Sequence, residues 1–324
     1  MLNTEQYRSA FMAHLERKIK IKEPVNLYEP ISYILNLGGK RLRPILTLMA
    51  TDIFKADYKT ALDAALAIEV FHNFSLVHDD IMDDAPLRRG KQTVHGKWDI
   101  NTGILSGDAM LIYSYQLLEG YPDAIYKELM KLFGQTALAV CEGQQHDVDF
   151  EERDNVTIPE YLHMIRYKTA VLVGAALKMG AIIAERPQEV QDMIYDFGIN
   201  LGIAFQLQDD YLDAFGNPDS FGKQVGGDII ENKKTYMYLK ALERGNPAQI
   251  QELGHLFSVR PRNTVDKVTA AKELFLETGA VAATLKEIED YTDKAFSILE
   301  MLPVHGSKKE MLQQFGMVLM KRDV

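Results

Sequence analysis

Two short acidic stretches carry the residues best suited to chemistry. The first is HDDIMDD at residues 78–84, and the second is LQDDYLDAF at residues 207–215. Each stretch contains two adjacent aspartates and a further aspartate one helical turn after the first. Residues i and i+4 share a helix face, so the side chains of Asp79 and Asp83 should project together.

The second stretch repeats the spacing of the first. Asp209 and Asp213 should share one face, while Asp80 and Asp210 should lie roughly 100° around their helices. Each cluster follows an apolar run and so lies near a helix C-terminus, where the macrodipole disfavours carboxylates. One such cluster is compatible with a solvated helix end, but the repeat indicates that a bound cation compensates the repulsion.

The ligand type narrows the choice of cation. Sites made only of oxygen ligands suit Mg²⁺ or Ca²⁺. The EF-hand pattern is absent from both stretches. A cluster with few protein ligands favours Mg²⁺, which keeps water molecules and shares phosphate oxygens. The sequence therefore predicts Mg²⁺-dependent chemistry on a phosphate-containing substrate.

Basic side chains that suit such a substrate lie near the first cluster in the sequence. GGKRLRP at residues 38–44 offers Lys40, Arg41 and Arg43 beside two glycines, and RRG follows at residues 88–90. Arginine forks bind phosphate oxygens in pairs. Because a proline follows Arg43, we expect Arg43 to end or kink its local structure. Each basic pair alone is typical of a solvated surface. Further candidate cations are Lys168, Lys223 and Lys233.

The composition argues against several other classes of protein. The net charge of −10 disfavours a general nucleic-acid surface. The single Cys141 excludes an intramolecular disulfide and a cysteine zinc site, and suits a reducing cytosol. The N-terminus lacks an apolar signal core, and the most apolar run, TAVLVGAALKMGAIIA, is broken by Lys178 and too short to span a bilayer. We expect a cytoplasmic protein with no nucleic-acid partner and no membrane span.

Helical periodicity dominates the chain, and strand-like alternation is scarce. Predicted helices cover residues 4–20, 27–51, 59–83, 105–120, 123–149, 158–184, 188–215, 234–244, 262–301 and 306–322. Long loops at residues 84–103 and 216–234 follow the two acidic clusters and are expected to be functional. No linker divides the chain, so we predict a single all-α domain spanning residues 1–324.

A series of motifs, taken together and in order, resembles one family. The motifs are GGKRLRP, HDDIMDDAPLRRG, GDAMLIYSYQLL, CEGQQHD, YKTA, FQLQDDYLDAFG and GKQVGGDIIENKKTY. Their order resembles that in the trans-isoprenyl diphosphate synthases (polyprenyl synthetases), the head-to-tail prenyltransferases that make farnesyl, geranylgeranyl and longer diphosphates. The resemblance covers roughly residues 30–240. It implies an all-α helix bundle of the isoprenoid synthase type, a central cavity and a homodimer. One departure is Gln92, where the family often has proline.

The resemblance also implies roles for individual residues. The implied metal ligands are Asp79, Asp83, Asp209, Asp210 and Asp213, with Asp80 in support. The implied isopentenyl diphosphate contacts are Lys40, Arg43, His72 and Arg89. The implied allylic diphosphate contacts are Arg88, Lys168, Thr169, Gln206, Lys223 and Lys233. Those expected to act directly in catalysis are Asp79, Asp80, Asp83, Arg88, Lys168 and Asp209.

The chemistry implied by the resemblance fits these parts. Mg²⁺, about three ions with substrate bound, and the basic groups stabilise charge on the departing diphosphate. An allylic carbocation is exposed, the double bond of isopentenyl diphosphate attacks it, and a proton is lost. Water must be excluded, so the two long loops are natural lids. In this family the departing diphosphate is thought to accept the proton, so no protein base is expected.

His72 is a special case among the implied ligands. An isolated histidine on an apolar helix is usually a core residue. His72 precedes Asp79 by seven positions and therefore falls roughly 20° from the Asp79 face. This alignment, together with the family pattern, favours a binding role.

Product length should depend on the apolar helix that leads to the first cluster. Ser75 lies one turn before Asp79 and is small, while Phe74 lies about 7.5 Å below Asp79 along the axis. Helical angles place Phe74 about 140° from the Asp79 face, which favours an ordinary core role. The family pattern of one aromatic residue, a small residue after it and no insertion instead favours a C20 product, with C15 as the alternative. Facing residues that could alter the length are Met110, Tyr113 and Ser114.

Two other functions have weaker support. A class I terpene cyclase also ionises a prenyl diphosphate with Mg²⁺, but usually lacks the second acidic cluster and the isopentenyl diphosphate site. A catalytically inactive regulatory subunit typically loses acidic-cluster residues, whereas all the aspartates of both clusters are present here.

Overall fold

The computed structural model describes residues 2–216 and 226–320. The helices are α1 Thr4–Lys18, α2 Val25–Asn36, α3 Leu42–Ile53, α4 Leu62–Met82, α5 Val94–Lys97, α6 Ile100–Gln116, α7 Asp123–Glu152, α8 Ile158–Ile165, α9 Val171–Ile183, α10 Gln188–Phe215, α11 Gly227–Ile230, α12 Tyr236–Arg244, α13 Pro247–Leu256, α14 Val265–Glu277, α15 Ala280–Met301 and α16 Gly306–Met320. A 3₁₀ turn, Tyr58–Ala61, precedes α4. Strands β1 Leu87–Arg88 and β2 Lys91–Gln92 form an antiparallel hairpin. The predicted all-α class is confirmed.

The contacts divide the chain into two compact units, each described by itself. Unit 1 comprises residues 1–134 and 175–192, and unit 2 comprises residues 135–174 and 193–324. The first acidic cluster therefore belongs to unit 1 and the second to unit 2.

Helix α4 is the central element of unit 1. Its apolar side chains, including Leu66, Val70 and Phe71, are fully buried. It packs against α6 closely enough that a Cβ atom on Gly107 would lie 2.2 Å from Nε2 of His78. A side chain at position 107 would displace the His78 ring. The close packing fixes α4 at the residue that precedes the first cluster.

The same helix, with the turn before it, is long and apolar enough to meet a membrane-span criterion. Within Tyr58–Met82, an 18-residue window has a mean hydropathy of 1.2, but 67% of that window is buried within the structure. A buried core helix has this composition for packing reasons, so the segment is weak evidence for a membrane span.

Unit 2 is built from α8, the C-terminal helices and parts of α7, α9 and α10. Helix α12 packs against α8 and α15, and α14 packs against α15. The packed side chains include Phe275 and Leu299, which are 1% exposed. The C-terminal third thus supplies core packing to the unit that carries the second cluster.

The predicted helix over residues 27–51 was wrong. The chain leaves α2 after Asn36 and begins α3 at Leu42. Gly38 and Gly39 between them have φ of 89° and 116°, which a continuing right-handed helix excludes. Arg43 lies in the first turn of α3 rather than ending a segment, because proline is tolerated in a first turn.

Other segments also differ from the predicted ones. The predicted helix over residues 262–301 breaks at Gly279, whose φ is 72°. The segment at residues 158–184 contains a π-helical turn, Arg166–Ala170. Helix α13 was not predicted, although Asn246 caps it by accepting hydrogen bonds from the backbone amides of Ala248 and Gln249.

Candidate active site

The first acidic cluster lies at the C-terminal end of α4. The helix ends at Met82, and Asp83 is its C-cap residue. The Asp79 side chain is 18% exposed, and Asp83 is exposed. These two carboxylates therefore remain accessible on the last turn, whereas Asp80 between them is fully buried.

Asp80 and Arg88 form a close ion pair. Nε of Arg88 donates to both carboxylate oxygens of Asp80 at 2.8 and 2.9 Å, and the second donor, Nη2, lies 2.6 Å from Oδ1. Burial opposes the charge on Arg88, but the contacts with Asp80 outweigh it and raise the pKa of the guanidinium. The same Nη2 atom lies 3.8 Å from Asp79. Asp80 thus positions a fixed cation beside the accessible carboxylate.

Arg43 and His72 meet in the same unit. Nη1 of Arg43 donates to Nε2 of His72 over 3.2 Å, so this ring nitrogen must be unprotonated. Burial, followed by the charge of Arg43, lowers the pKa of His72 well below its usual value, and the ring is neutral at pH 7. The structure thus places His72 beside a basic residue, while its alignment with the Asp79 face and its binding role stay predictions.

Arg43 has unused donor capacity. Among the residues that the structure describes, its Nε atom is buried with no hydrogen-bond acceptor. Burial lowers the pKa of Arg43 to about 10, and Arg89 adds to this effect, but the group stays charged at neutral pH. A buried guanidinium with an unpaired N–H is costly unless an anion accepts from it. This position suits a phosphate oxygen.

The Gly38–Gly39 turn accommodates the second of the paired arginines. The guanidinium of Arg89 donates to the carbonyl of Gly38. A Cβ atom on Gly39 would lie 2.9 Å from Cζ of Arg89 and would displace this guanidinium, and the φ of 116° itself favours glycine. Lys40 follows on the exposed side of the same turn.

Arg41 does not belong with the phosphate-binding candidates, which corrects the sequence-based grouping. Its side chain is 1% exposed and forms an ion pair with Glu69, whose side chain is 3% exposed. It also donates to the carbonyl of Leu35. The resemblance implied no contact for Arg41, but the GGKRLRP pattern by itself did not distinguish Arg41 from its neighbours, because Glu69 is distant along the chain and lies within an apolar run.

The second acidic cluster lies near the end of α10 in unit 2. The hydroxyl of Tyr161 donates to one oxygen of Asp210, and the amide of Gln206 donates to the other at 2.8 Å. The hydroxyl of Thr169 donates to Gln206 over 2.9 Å. Burial raises the pKa of Asp210 to about 7 against these hydrogen bonds, and the charges of Asp209 and Asp213 add to the rise.

Asp228 is a further acidic residue that the sequence analysis missed. Its backbone N–H donates to Oδ2 of Asp213 over 2.9 Å. Burial, followed by the charges of Asp213 and Asp210, raises the pKa of Asp228 well above its usual value. Asp228 lies in the GGDII part of a motif named above. The motif does not by itself indicate that Asp228 lies beside the second cluster, because this depends on the fold.

The π-helical turn at residues 166–170 presents two of the predicted contacts. Thr169 bonds Gln206 as described, and Nζ of Lys168 donates to Asp147 over 2.5 Å. Such turns are frequent at functional sites. Lys233 lies 3.2 Å from Glu231. Lys223 falls outside the described residues.

The apolar segment before the first cluster contains an aromatic series. The Phe74 ring contacts His78 and Phe71, with centroid separations of 4.9 and 5.5 Å. Phe71 contacts Phe133, which in turn contacts Tyr115. Phe74 is thus backed by further aromatic rings, and the Ser75 hydroxyl beside it donates to the carbonyl of His72.

The donor sets of both clusters fit Mg²⁺. They consist of carboxylates, which are the hard oxygen ligands that this ion prefers. Within residues 2–216 and 226–320, no three acidic, histidine or cysteine side chains form a closed metal cage. Mg²⁺ usually takes one or two carboxylates and completes its shell with water and substrate phosphates. Asp79 and Asp83 in unit 1, and Asp209 with Asp213 in unit 2, are suited to such open binding.

Comparisons with known proteins agree with this geometry. Residues 24–275 match the polyprenyl synthetase family model. A geranylgeranyl pyrophosphate synthase of Geoglobus acetivorans is 36% identical over 92% of this chain and 92% of its own length. A geranylfarnesyl diphosphate synthase of Natronomonas pharaonis is 34% identical over 95% of this chain and 93% of its own length. A crystal structure of a geranylgeranyl pyrophosphate synthase is 54% identical, has a TM-score of 0.95 and covers 100% of both chains. The chain belongs to the polyprenyl synthetase family.

The hydrogen bond from Tyr161 to Asp210 generates a prediction. Tyr161→Phe removes the hydroxyl and leaves the packing, so we expect the free energy of unfolding to fall by about 1 kcal/mol. Asp210 is a predicted metal ligand, so loss of the group that orients it should lower kcat about 10-fold or more. Denaturant unfolding and steady-state kinetics measure the two effects.

Tyr121→Phe is the matched control for this variant. The Tyr121 hydroxyl also bonds backbone groups of Thr60 and Ala64 but contacts neither acidic cluster. It should lose similar stability and keep its kcat. Equal kcat values for Tyr161→Phe and Tyr121→Phe would contradict the orienting role of Tyr161.

Proposed function

We propose that the protein is a Mg²⁺-dependent trans-prenyltransferase that condenses isopentenyl diphosphate with an allylic diphosphate. The observation that carries this proposal is that unit 1 contains both kinds of group. Asp79 and Asp83 are accessible carboxylates, and the buried Nε of Arg43 has no hydrogen-bond acceptor among the described residues. The names of the relatives support the same activity. A metal–diphosphate site and a second, metal-free anion site are the two binding functions that this reaction requires.

The basic residues of unit 1 divide between the two substrates in this proposal. Arg43, His72, Arg89 and Lys40 bind isopentenyl diphosphate, with the neutral His72 ring holding Arg43 in place. Arg88, fixed by Asp80, contacts the allylic diphosphate beside Asp79. In unit 2, Lys168, Thr169, Gln206 and Lys233 are proposed contacts of the allylic side, and Lys223 is proposed from the sequence alone.

In this proposal the residues act together in one condensation reaction. The C–O bond of the allylic diphosphate breaks, and the leaving group departs with the electron pair. Mg²⁺ would be held by Asp79 and Asp83 in unit 1 and by Asp209 and its neighbouring carboxylates in unit 2, and would supply charge stabilisation to that leaving group. Arg88 donates hydrogen bonds to the same oxygens. The double bond of isopentenyl diphosphate forms the new C–C bond, and the departing diphosphate accepts the proton that is lost.

The activity is tested directly by incubation with isopentenyl diphosphate, each allylic primer and Mg²⁺. Chromatography of the dephosphorylated products reports both turnover and chain length. Absence of any condensation product with all primers would overturn the proposal.

The role of the first cluster gives a sharper prediction. Asp79→Asn keeps the shape of the side chain but removes its charge, and should lower kcat by about 10²-fold or more. Asp84→Asn is the matched control, because Asp84 is fully exposed and asparagine also tolerates its φ of 47°. Steady-state assays at saturating Mg²⁺ compare the two. Full activity in Asp79→Asn would exclude metal binding by this carboxylate.

The proposed product is geranylgeranyl diphosphate, with farnesyl diphosphate as the alternative. The packing of Phe74 below the cluster supports a limit on the growing chain. Phe71 and Phe133 lie behind it, so removing one ring opens only a limited space. The geranylfarnesyl diphosphate synthase among the relatives is compatible with such a small change in length.

Phe74→Ala should therefore lengthen the product by about one isoprene unit, because the cavity it leaves ends at Phe71. Truncation of a buried phenylalanine costs about 3–5 kcal/mol, so product analysis is done well below the unfolding temperature. Phe74→Met retains most of the volume and should keep the original product. An unchanged spectrum in a folded Phe74→Ala variant would remove Phe74 from the proposed floor.

We also propose that the enzyme is a cytoplasmic homodimer. Helix α6 exposes Ile104, Leu105 and Ile112 on one side, with exposed fractions of 41%, 60% and 60%. This largely apolar face, which also carries the exposed Asp108, suits a self-complementary interface. The single exposed Cys141 suits a reducing compartment.

Ile112→Arg tests the dimer. A charge at the centre of an apolar interface should shift the protein toward monomers, as measured by sedimentation equilibrium. Val265→Arg is the control, because Val265 is 67% exposed on α14 and should leave the mass unchanged. A monomeric wild-type protein, or an Ile112→Arg dimer of unchanged stability, would contradict the proposed interface.

A further inference from the structure

The ion pair of Arg41 and Glu69 has no place among the proposed substrate contacts, yet both of its side chains are buried in the core of unit 1. Both side chains are nearly inaccessible, at 1% and 3% exposure. The side-chain amide of Asn73 donates to Oε1 of Glu69 at 3.1 Å and to its carbonyl at 2.8 Å. The carboxylate is therefore fixed by two partners.

The guanidinium of Arg41 joins three parts of the chain. It bonds Glu69 in α4 and the carbonyl of Leu35 in the last turn of α2. Arg41 itself is the N-cap residue of α3, with a left-handed φ of 52°. The turn at residues 37–40 lies between these attachment points. One side chain thus closes the turn that carries Lys40 and the carbonyl to which Arg89 donates.

The same pair controls the charge around the basic residues. Arg41, Arg43, Arg88 and Arg89 all act on His72, lowering its pKa after the effect of burial. Glu69 is the carboxylate that most opposes the loss of charge on Arg43, and it acts on Arg89 in the same sense. Among the arginines named here, Glu69 forms its ion pair with Arg41. The positive charges of Arg43 and Arg89 therefore remain available to a ligand.

We propose that Arg41 and Glu69 are positioning residues that hold the Gly38–Lys40 turn and Arg43 in the geometry that binds the diphosphate of isopentenyl diphosphate. This inference rests on the proposed function. Arg41 does not touch the substrate. It acts through Lys40, Arg89 and Arg43, and the neighbouring basic residues supply the binding contacts.

The competing explanation is that the pair only stabilises the fold. A buried ion pair can often be replaced by apolar residues of similar volume without loss of stability, whereas removal of one partner leaves an uncompensated charge. The double variant R41M/E69M therefore removes the positioning contacts and leaves no unpaired charge. It separates the two explanations better than either single substitution.

The test measures KM for isopentenyl diphosphate, KM for the allylic substrate, kcat and the unfolding midpoint. For R41M/E69M we expect KM for isopentenyl diphosphate to rise about 10-fold or more, as for loss of supporting contacts at a binding site. KM for the allylic substrate and kcat should stay within about 2-fold of the wild type, since uniform binding alone is lost. A folded double variant with an unchanged KM for isopentenyl diphosphate would overturn the inference.

Two further variants complete the experiment. Arg41→Lys keeps the charge but not the fork that reaches both Glu69 and Leu35, so KM for isopentenyl diphosphate should rise here too, which preserves the test if the double variant does not fold. An unchanged KM in Arg41→Lys together with an unfolded double variant would count against positioning.

Tyr7→Phe removes the hydrogen bond to Asp52 elsewhere in unit 1 and should lower stability without changing either KM. Lack of wild-type turnover would instead contradict the proposed function.

Discussion

The organisation of the molecule depends on the repulsion between carboxylates placed at the ends of buried helices. In each cluster the second of the two adjacent aspartates is buried, and protein donors hold it, while Asp213 of the second cluster is buried as well. Arg88 binds both oxygens of Asp80, and Tyr161 with Gln206 binds those of Asp210. Because this second carboxylate is anchored, the orientation of its helix end is fixed, and the other carboxylates present a negative charge that a divalent cation can neutralise.

The basic residues of unit 1 carry positive charge that the neighbouring carboxylates do not fully neutralise. Arg43 and Arg89 are partly desolvated, and the buried Glu69 is committed to Arg41. Such a group of cations is stable only if an anion or water satisfies its remaining donors. Among the described residues, Nε of Arg43 lacks an acceptor, and the two acidic clusters concentrate negative charge. A substrate that is a diphosphate complexed with metal resolves both imbalances, which is why charge, and not shape, is the main basis for the assigned chemistry.

The sequence predicted local features well and distant contacts poorly. Helix α10 was predicted with its observed bounds, because a long periodic segment determines its own structure. The helix break was expected at Arg43 but lies before it, between α2 and α3. Gly38 and Gly39, which form this break, were treated as part of one helix. The roles of Arg41, Tyr161 and Asp228 escaped prediction because each depends on a partner far away in the chain. The π-helical turn around Lys168 has no reliable sequence signal.

Phe74 is a core residue in the structure, and its role in product length stays a prediction. Its helical angle predicted a core residue, and the structure packs it between Phe71 and His78 with 8% exposure. A residue at the end of a hydrocarbon-binding space is also surrounded by apolar side chains, so burial does not argue against that role. The helix rise fixes its axial distance from Asp79 at about 7.5 Å. Asp79 and Phe74 lie on the same helix, α4. The rise of this helix therefore sets the distance between a diphosphate bound at Asp79 and the Phe74 ring.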